Sequence, residues 1–159
     1  MPPPSTRLFR ADVVVGALGL SLDRKATGMP LIDGTRHVLD AMQRHGATRY
    51  IAHGTPSVLD PHEKPTWQTR LVGYLGRTGL PRAYNKLIGM TELIKNSGVN
   101  WPIVRFTAPK DTPKTGKLRV GFDGTDSIGF AVSRADIAGF TARQVDDNTY
   151  LNRAPAISN

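Results

Sequence analysis

Hydrophobic positions change their spacing along this chain in a regular order. Val13-Val14-Val15 is a β-branched run ending in Gly16-Ala17-Leu18-Gly19. Such a near-continuous run reads as a strand buried on both faces of a parallel sheet. Glycines at its end let a ligand or another backbone approach closely. A polar loop from Leu20 to Gly28 follows. Leu31, Ile32, Thr35, Val38, Leu39 and Met42 then recur at i, i+3 and i+4, which predicts an amphipathic helix. Arg44 and His45 in its last turn, with Gly46 after them, close it. Arg49-Tyr50-Ile51-Ala52 predicts a second strand, running into the small-residue turn His53-Gly54-Thr55-Pro56-Ser57. Ala83 to Ser97 predicts a second helix, with Leu87, Met90, Leu93 and Ile94 on one face and Gly98 at its end. Trp101 to Phe106 predicts a third strand. Alternation of strands and helices is the mark of a parallel sheet with crossover helices.

The rest of the pattern is less regular. Residues 1–10 read as an irregular lead-in to a domain over 11–159. Residues 57–82 hold no strong period: Asp60-Pro61 and Lys64-Pro65 break structure, and Thr66 to Tyr74 reads as a short helix. A long insertion after a strand's carboxyl end suits a lid or substrate loop. Lys117 to Phe122 alternates like a short strand, and Asp123-Gly124 is a turn. Ser133-Arg134-Ala135-Asp136 is a capping box, with Ser133 as N-cap and Asp136 returning to its backbone N–H. Ile137, Phe140 and Val145 give the helix an apolar side, and Ala154 to Ser158 reads as a terminal strand.

Composition narrows the function classes. The chain has 159 residues, enough for one domain with a real core. Lys and Arg number 21 against 13 Asp and Glu, a net charge of +8. The cations are scattered, and the densest stretch, Lys110 to Arg119, is interrupted by Asp111, Pro113 and Gly116. That scatter suits a solvated surface, or a field drawing a phosphate-bearing small molecule, better than a nucleic-acid footprint. The absence of cysteine excludes a disulfide scaffold, a Cys-zinc site and a cysteine nucleophile. Four isolated histidines give no metal-ligand spacing. No apolar run approaches the ~20 residues of a membrane span. Met1-Pro2-Pro3-Pro4-Ser5 carries no signal-peptide core, so cytoplasmic residence is expected.

Several segments in this order carry a resemblance. They are "ADVVVGALG", "HGATRYIAHGT", "ELIKNSGVNWPIVRF", "DTPKTGKLRV" and "VSRADIAGF". Together they resemble the NAD(P)H-binding, NmrA-like branch of the atypical short-chain dehydrogenases/reductases, which includes enzymes like biliverdin-IXβ reductase and flavin reductase. The resemblance covers about residues 11 to 159. It implies an α/β, Rossmann-like, mostly parallel sheet flanked by helices, holding NADP or NAD at the carboxyl ends of its strands. It further implies cofactor contacts from Ala17, Leu18 and Gly19 after the first strand. His53, Gly54 and Thr55 would contribute after the second, and Arg105, Phe106 and Thr107 after the third. Phe106 stands where the family has proline. Thr55, in place of a family hydroxyl residue near the nicotinamide, and Tyr84 are the catalytic candidates. Thr55 reads equally as a turn residue bonding local backbone. His53 and His62 read as acid–base groups beside the cleft or as a strand-end and a loop residue. Glu92 and Asp136 match family carboxylates, and capping already explains Asp136.

The family's opening strand and G-x-x-G-x-x-G turn have no counterpart, since Met1 to Ala11 contains no glycine. Relative to the family, the expectation is a domain lacking its first, phosphate-gripping half. A Tyr-x-x-x-Lys proton-transfer pair is also missing, because Lys86 lies only two residues beyond Tyr84. The expected activity is hydride transfer from NAD(P)H to a flavin, quinone or similar conjugated or carbonyl acceptor. The alternative is a non-catalytic module that senses a dinucleotide or binds a partner. An uncovered sheet edge would let copies of the chain associate.

Overall fold

A computed structural model describes residues 11–18, 30–64 and 81–159, together with positions 67, 71, 74, 78 and 79. The expected lead-in over 1–10, Gly19 and part of the expected lid over 57–82 lie outside the described residues. β1 (Val13–Gly16), α1 (Pro30–His45), β2 (Arg49–Gly54), α2 (Pro81–Lys95) and β3 (Ile103–Arg105) follow one another as the periodicity predicts. Val13 pairs with Arg49 and Ala52 with Ile103, in parallel register. Both crossovers step the same way across the sheet. Right-handed connections then place α1 and α2 on one face, where they pack together.

Several boundaries move by one or two residues: α2 ends at Lys95 rather than Ser97, and β3 is shorter than the segment expected for it. β2 runs through His53 and Gly54, which the small-residue pattern assigned to a turn. His53 pairs with Val104 and Gly54 with Arg105. The ladder to β3 overrides the local turn preference. α2 starts at Pro81 rather than Ala83, and proline is well suited to a first helical turn.

The second half of the chain widens the sheet. It supplies β4 (Ala108–Lys110), β5 (Arg119–Gly121), β6 (Ala131–Ser133), α3 (Arg134–Arg143) and β7 (Ala156–Ser158). β5 and β7 are also shorter than the segments expected for them. The main sheet has the order β1-β2-β3-β7-β5, with only β5 antiparallel. β4 and β6 form a separate parallel pair that the sequence pattern did not announce.

Each face of the sheet buries its own cluster. Tyr50, Ala52 and Ile103 pack with Leu39, Met42, Leu87, Met90 and Ile94 beneath α1 and α2. Ile51, Val104 and Ile157 pack with Ile137 and Phe140 of α3. The odd–even split along β2 is the period of two of a strand. Gly16 has a packing reason of its own: a Cβ there would fall 2.1 Å from the Tyr50 phenol oxygen. Close approach at this glycine therefore comes from the protein's own core. The α3 cap also differs in detail from the expectation. The Asp136 N–H donates to Ser133 Oγ at 3.0 Å, but the Asp136 carboxylate does not return to the Ser133 N–H. That N–H donates to Asn159 Oδ1 instead, while the carboxylate gathers Thr115, Gly116, Asn159 and the Ser133 hydroxyl.

Candidate functional site

Parallel, in-register pairing brings the carboxyl ends of β1, β2 and β3 to one edge of the sheet. Ala17 and Leu18 follow β1 and are exposed. Thr55 follows β2 and is half-buried, as is Phe106 after β3, while Thr107 beyond it is exposed. The Phe106 N–H donates to the Gly54 carbonyl at 3.2 Å, tying two of these ends together. Tyr84 lies in the first turn of α2, whose start faces the same end of the sheet. Most of the residues the resemblance singled out thus share one edge. Gly54 sits there for packing: a Cβ on it would meet Ile103 Cγ2 at 2.8 Å.

Arg105 ends β3 with its backbone at the strand-end edge, but its side chain turns inward. Its side chain is fully buried. Its guanidinium donates to the carbonyls of Ala154 at 2.6 Å and Val58 at 2.7 Å and pairs with the Glu63 carboxylate. Asp123 stands 3.8 Å away. A buried cation needs such partners. Arg105 latches the loop after β2 to β3 and to the segment entering β7. Its charge is committed to the fold, leaving only its backbone at the strand-end edge.

A second buried pair anchors the same loop. Asp60 accepts two-pronged hydrogen bonds from Arg153, the closest at 2.9 Å, and further ones from the N–H groups of His62 and Ala154. Burial alone would raise the Asp60 carboxyl. The Arg153 guanidinium and the two N–H donors outweigh it and bring the pKa to about 2. Arg153 also stacks 4.2 Å over the Phe122 ring. Sequence reasoning missed both pairs. The signal for the first is an arginine inside an apolar strand, which demands a buried acceptor without saying which one. Asp60 and Glu63 lie in an aperiodic loop that offers no signal.

His53 points to the α3 face of β2. Its Nε2 lies 3.0 Å from the Thr141 hydroxyl, and its ring stands edge-on to Phe106 with centroids 5.3 Å apart. Burial pushes its pKa down, so it is neutral at pH 7. His62 is a loop residue beside Asp60, at 3.3 Å.

A cleft of about 760 Å³ lies elsewhere. Asp40 and Gln43 on α1, Glu92 on α2 and Asn96 just after it line it, with Thr48 and Asn100 just before β2 and β3. Its size suits a ligand. Yet it opens at the amino ends of the strands, opposite the edge where doubly wound sheets bind dinucleotides.

A nicotinamide is a flat aromatic amide, and its site needs apolar contact with a few neutral donors and acceptors. Phe106, the Thr55 hydroxyl, His53 and the exposed Leu18 and Thr107 fit that half of a dinucleotide. The diphosphate half asks for cations or a run of N–H groups. Among the described strand-end residues the one cation is Arg105, and it is already paired.

Nothing among the curated proteins matches the chain. Solved structures with the same fold are numerous. A protein of Bacillus halodurans, provisionally named an NAD-dependent epimerase/dehydratase, superposes with a TM-score of 0.69 at 20% identity, over 93% of this chain and 64% of that one. ChuY, an anaerobilin reductase from Escherichia coli O157:H7, gives 0.67 at 14% identity, over 91% and 62%. A short-chain dehydrogenase/reductase of Veillonella parvula, solved with NADP, gives 0.63 at 18% identity, over 94% and 63%. The chain thus spans a little over three-fifths of the length of these neighbours. Residues 7–148 match the sequence profile of the NAD(P)H-binding family. With that match across most of its length and a Rossmann-like sheet beneath it, the chain belongs to the NAD(P)H-binding family, whose cofactor is NAD or NADP.

Proposed function

We propose that this domain serves an NAD(P)H-dependent reductase acting on a flavin, quinone or similar conjugated carbonyl compound. The observation that carries the reading is the gathering of Leu18, Thr55, Phe106 and Thr107 at one edge of the parallel sheet. Bound there, the cofactor supplies the hydride. The chain's residues bind and orient. Phe106 offers an apolar wall, Thr55 a hydroxyl, and the His53 imidazole a neutral polar group beneath them. No charged acid–base pair stands at this edge among the described residues, which suits an acceptor that takes hydride without strong proton assistance. Exposed apolar side chains favour a flat, apolar acceptor. Leu18 follows β1, Leu59 follows β2, and Trp67, Leu71 and Tyr74 are spaced four and three apart in helical backbone. The reading is tested with NADPH and FMN or a quinone. NADPH fluorescence should change on adding protein, and NADPH should be consumed only when acceptor and protein are both present. No fluorescence change and no turnover would overturn it.

One observation favours a second reading, a partner-binding module. Among the described residues β1 pairs only with β2, and Val15 on it is 46% exposed. An open strand edge accepts a further strand. Size-exclusion chromatography with light scattering separates the readings. A stable dimer supports strand addition between copies, whereas a monomer that turns over NADPH removes the need for it.

A further inference from the structure

His53 is more than a half-buried strand residue. Thr141, its partner, is buried within α3. Buried helical threonines usually return their hydroxyl proton to the carbonyl one turn earlier. Thr35 does so to Leu31 at 2.7 Å, and Thr91 to Leu87 at 2.9 Å. Thr141 makes no such bond, and among the described residues its hydroxyl has a single partner, His53 Nε2 at 3.0 Å. A buried hydroxyl proton needs an acceptor. Thr141 therefore donates, Nε2 accepts, and the ring proton is driven to Nδ1. Among the described residues that Nδ1 has no hydrogen-bond partner. It is not sealed in either, since the one buried side-chain polar atom without a partner among the described residues is Gln144 Oε1. The Phe106 ring, edge-on to the imidazole, fixes the ring plane at the strand-end edge.

We propose that His53 is a tautomer-locked hydrogen-bond donor whose Nδ1–H binds a carbonyl oxygen of the ligand at the carboxyl ends of β2 and β3. The carbonyl belongs to the nicotinamide carboxamide or to the acceptor. A neutral imidazole cannot give up its remaining proton at moderate pH, so His53 holds and polarises the oxygen and does not protonate it. No charged side chain from β2, β3 or α3 pairs with the ring, and no described residue competes for the donor. Thr141 acts through His53 as a positioning residue. The inference rests on the strand-end site of the proposed reductase.

Imidazole ¹⁵N spectra of the 159-residue chain test it. Without ligand, His53 should show the Nδ1–H tautomer, and Thr141→Val should shift it toward Nε2–H. Addition of NADP⁺ alone should move the Nδ1 signal if the carboxamide is the acceptor, and addition of FMN should move it if the carbonyl is the substrate's. Thr141→Val and His53→Phe, the second keeping the edge contact with Phe106, should each weaken that ligand about tenfold. An Nε2–H tautomer in the wild-type chain overturns the inference. So does NADPH binding by fluorescence with an Nδ1 signal that neither ligand moves, and in that case the reductase reading stands. Absence of NADPH binding and of turnover overturns both.

Discussion

Arg105 carries the clearest lesson about single residues. Its neighbours Ile103 and Val104 are fully buried, and the alternation of the strand gives the arginine no route to water. Glu63 pairs with it and also accepts the Asp123 N–H at 3.3 Å. Arg105→Met keeps much of the volume but strands the Glu63 carboxylate, of which only 5% is exposed. The expected loss is about 3–5 kcal/mol, read as a lower urea midpoint. Adding Glu63→Gln should recover part of it, and a loss below about 1 kcal/mol for the single variant would show that the pair does not hold the loop. The sequence announces that Arg105 needs a partner. It cannot say that the partner lies 42 positions earlier, because Glu63 stands in a loop with no period to place it. The same holds for Asp60 and Arg153. The strand-end candidates were legible because a parallel sheet puts the ends of consecutive strands side by side. His53 was visible as a residue, and its role was not, because the role depends on a threonine 88 positions away.

Among elements, the two long helices and the strands between them follow directly from apolar spacing. β4 and β6 do not. Each is three residues long, β4 contains Pro109, and neither is long enough to show an alternation. Their pairing is a consequence of the chain's return after β5 rather than of local preference. α3 lies between these cases, since its N-cap is written in Ser133. Ser133→Ala should cost about 1–3 kcal/mol, from the lost cap and the lost hydrogen bond to the Asp136 carboxylate, checked by chemical unfolding, and Ser133→Asp should cost more, because a second carboxylate would face Asp136. The loop after β2 makes a prediction in pH. Asp60 has a folded pKa of about 2 against 3.8 for the free group, so it is depressed. Its stabilising contribution is complete above about pH 4 and fades as pH falls through about 2. The stability gap between the wild type and Asp60→Asn should therefore be wide at pH 5 to 7 and narrow toward pH 2, read from urea midpoints across that range. A gap that does not narrow would mean that shape, not charge, makes Asp60 matter.

At the scale of the whole molecule, the two ends of the sheet compete as ligand sites. One end has a formed cleft of about 760 Å³, and the other has the strand-end edge. Fold chemistry favours the strand-end edge, because crossover helices start there and strands present their last residues to the ligand. The net charge of +8 acts on both ends, since a field summed over the molecule draws phosphates toward either. Charge variants at the two ends separate location from general attraction. Thr107 is exposed at the end of β3, and Asn96 is exposed in the cleft at the other end. Thr107→Glu and Asn96→Glu lower the net charge by the same amount. If the summed field alone governed NADPH binding, both would weaken it equally. With the dinucleotide at the strand ends, Thr107→Glu places a carboxylate beside an anionic ligand and should weaken binding about tenfold, near 1.4 kcal/mol. Asn96→Glu should leave it within about twofold, because a charge more than about 10 Å away is largely screened at 0.1 M salt. Fluorescence titration of both variants at that salt decides between the ends. Loss of binding in Asn96→Glu, with Thr107→Glu unchanged, would move the ligand to the cleft between α1 and α2.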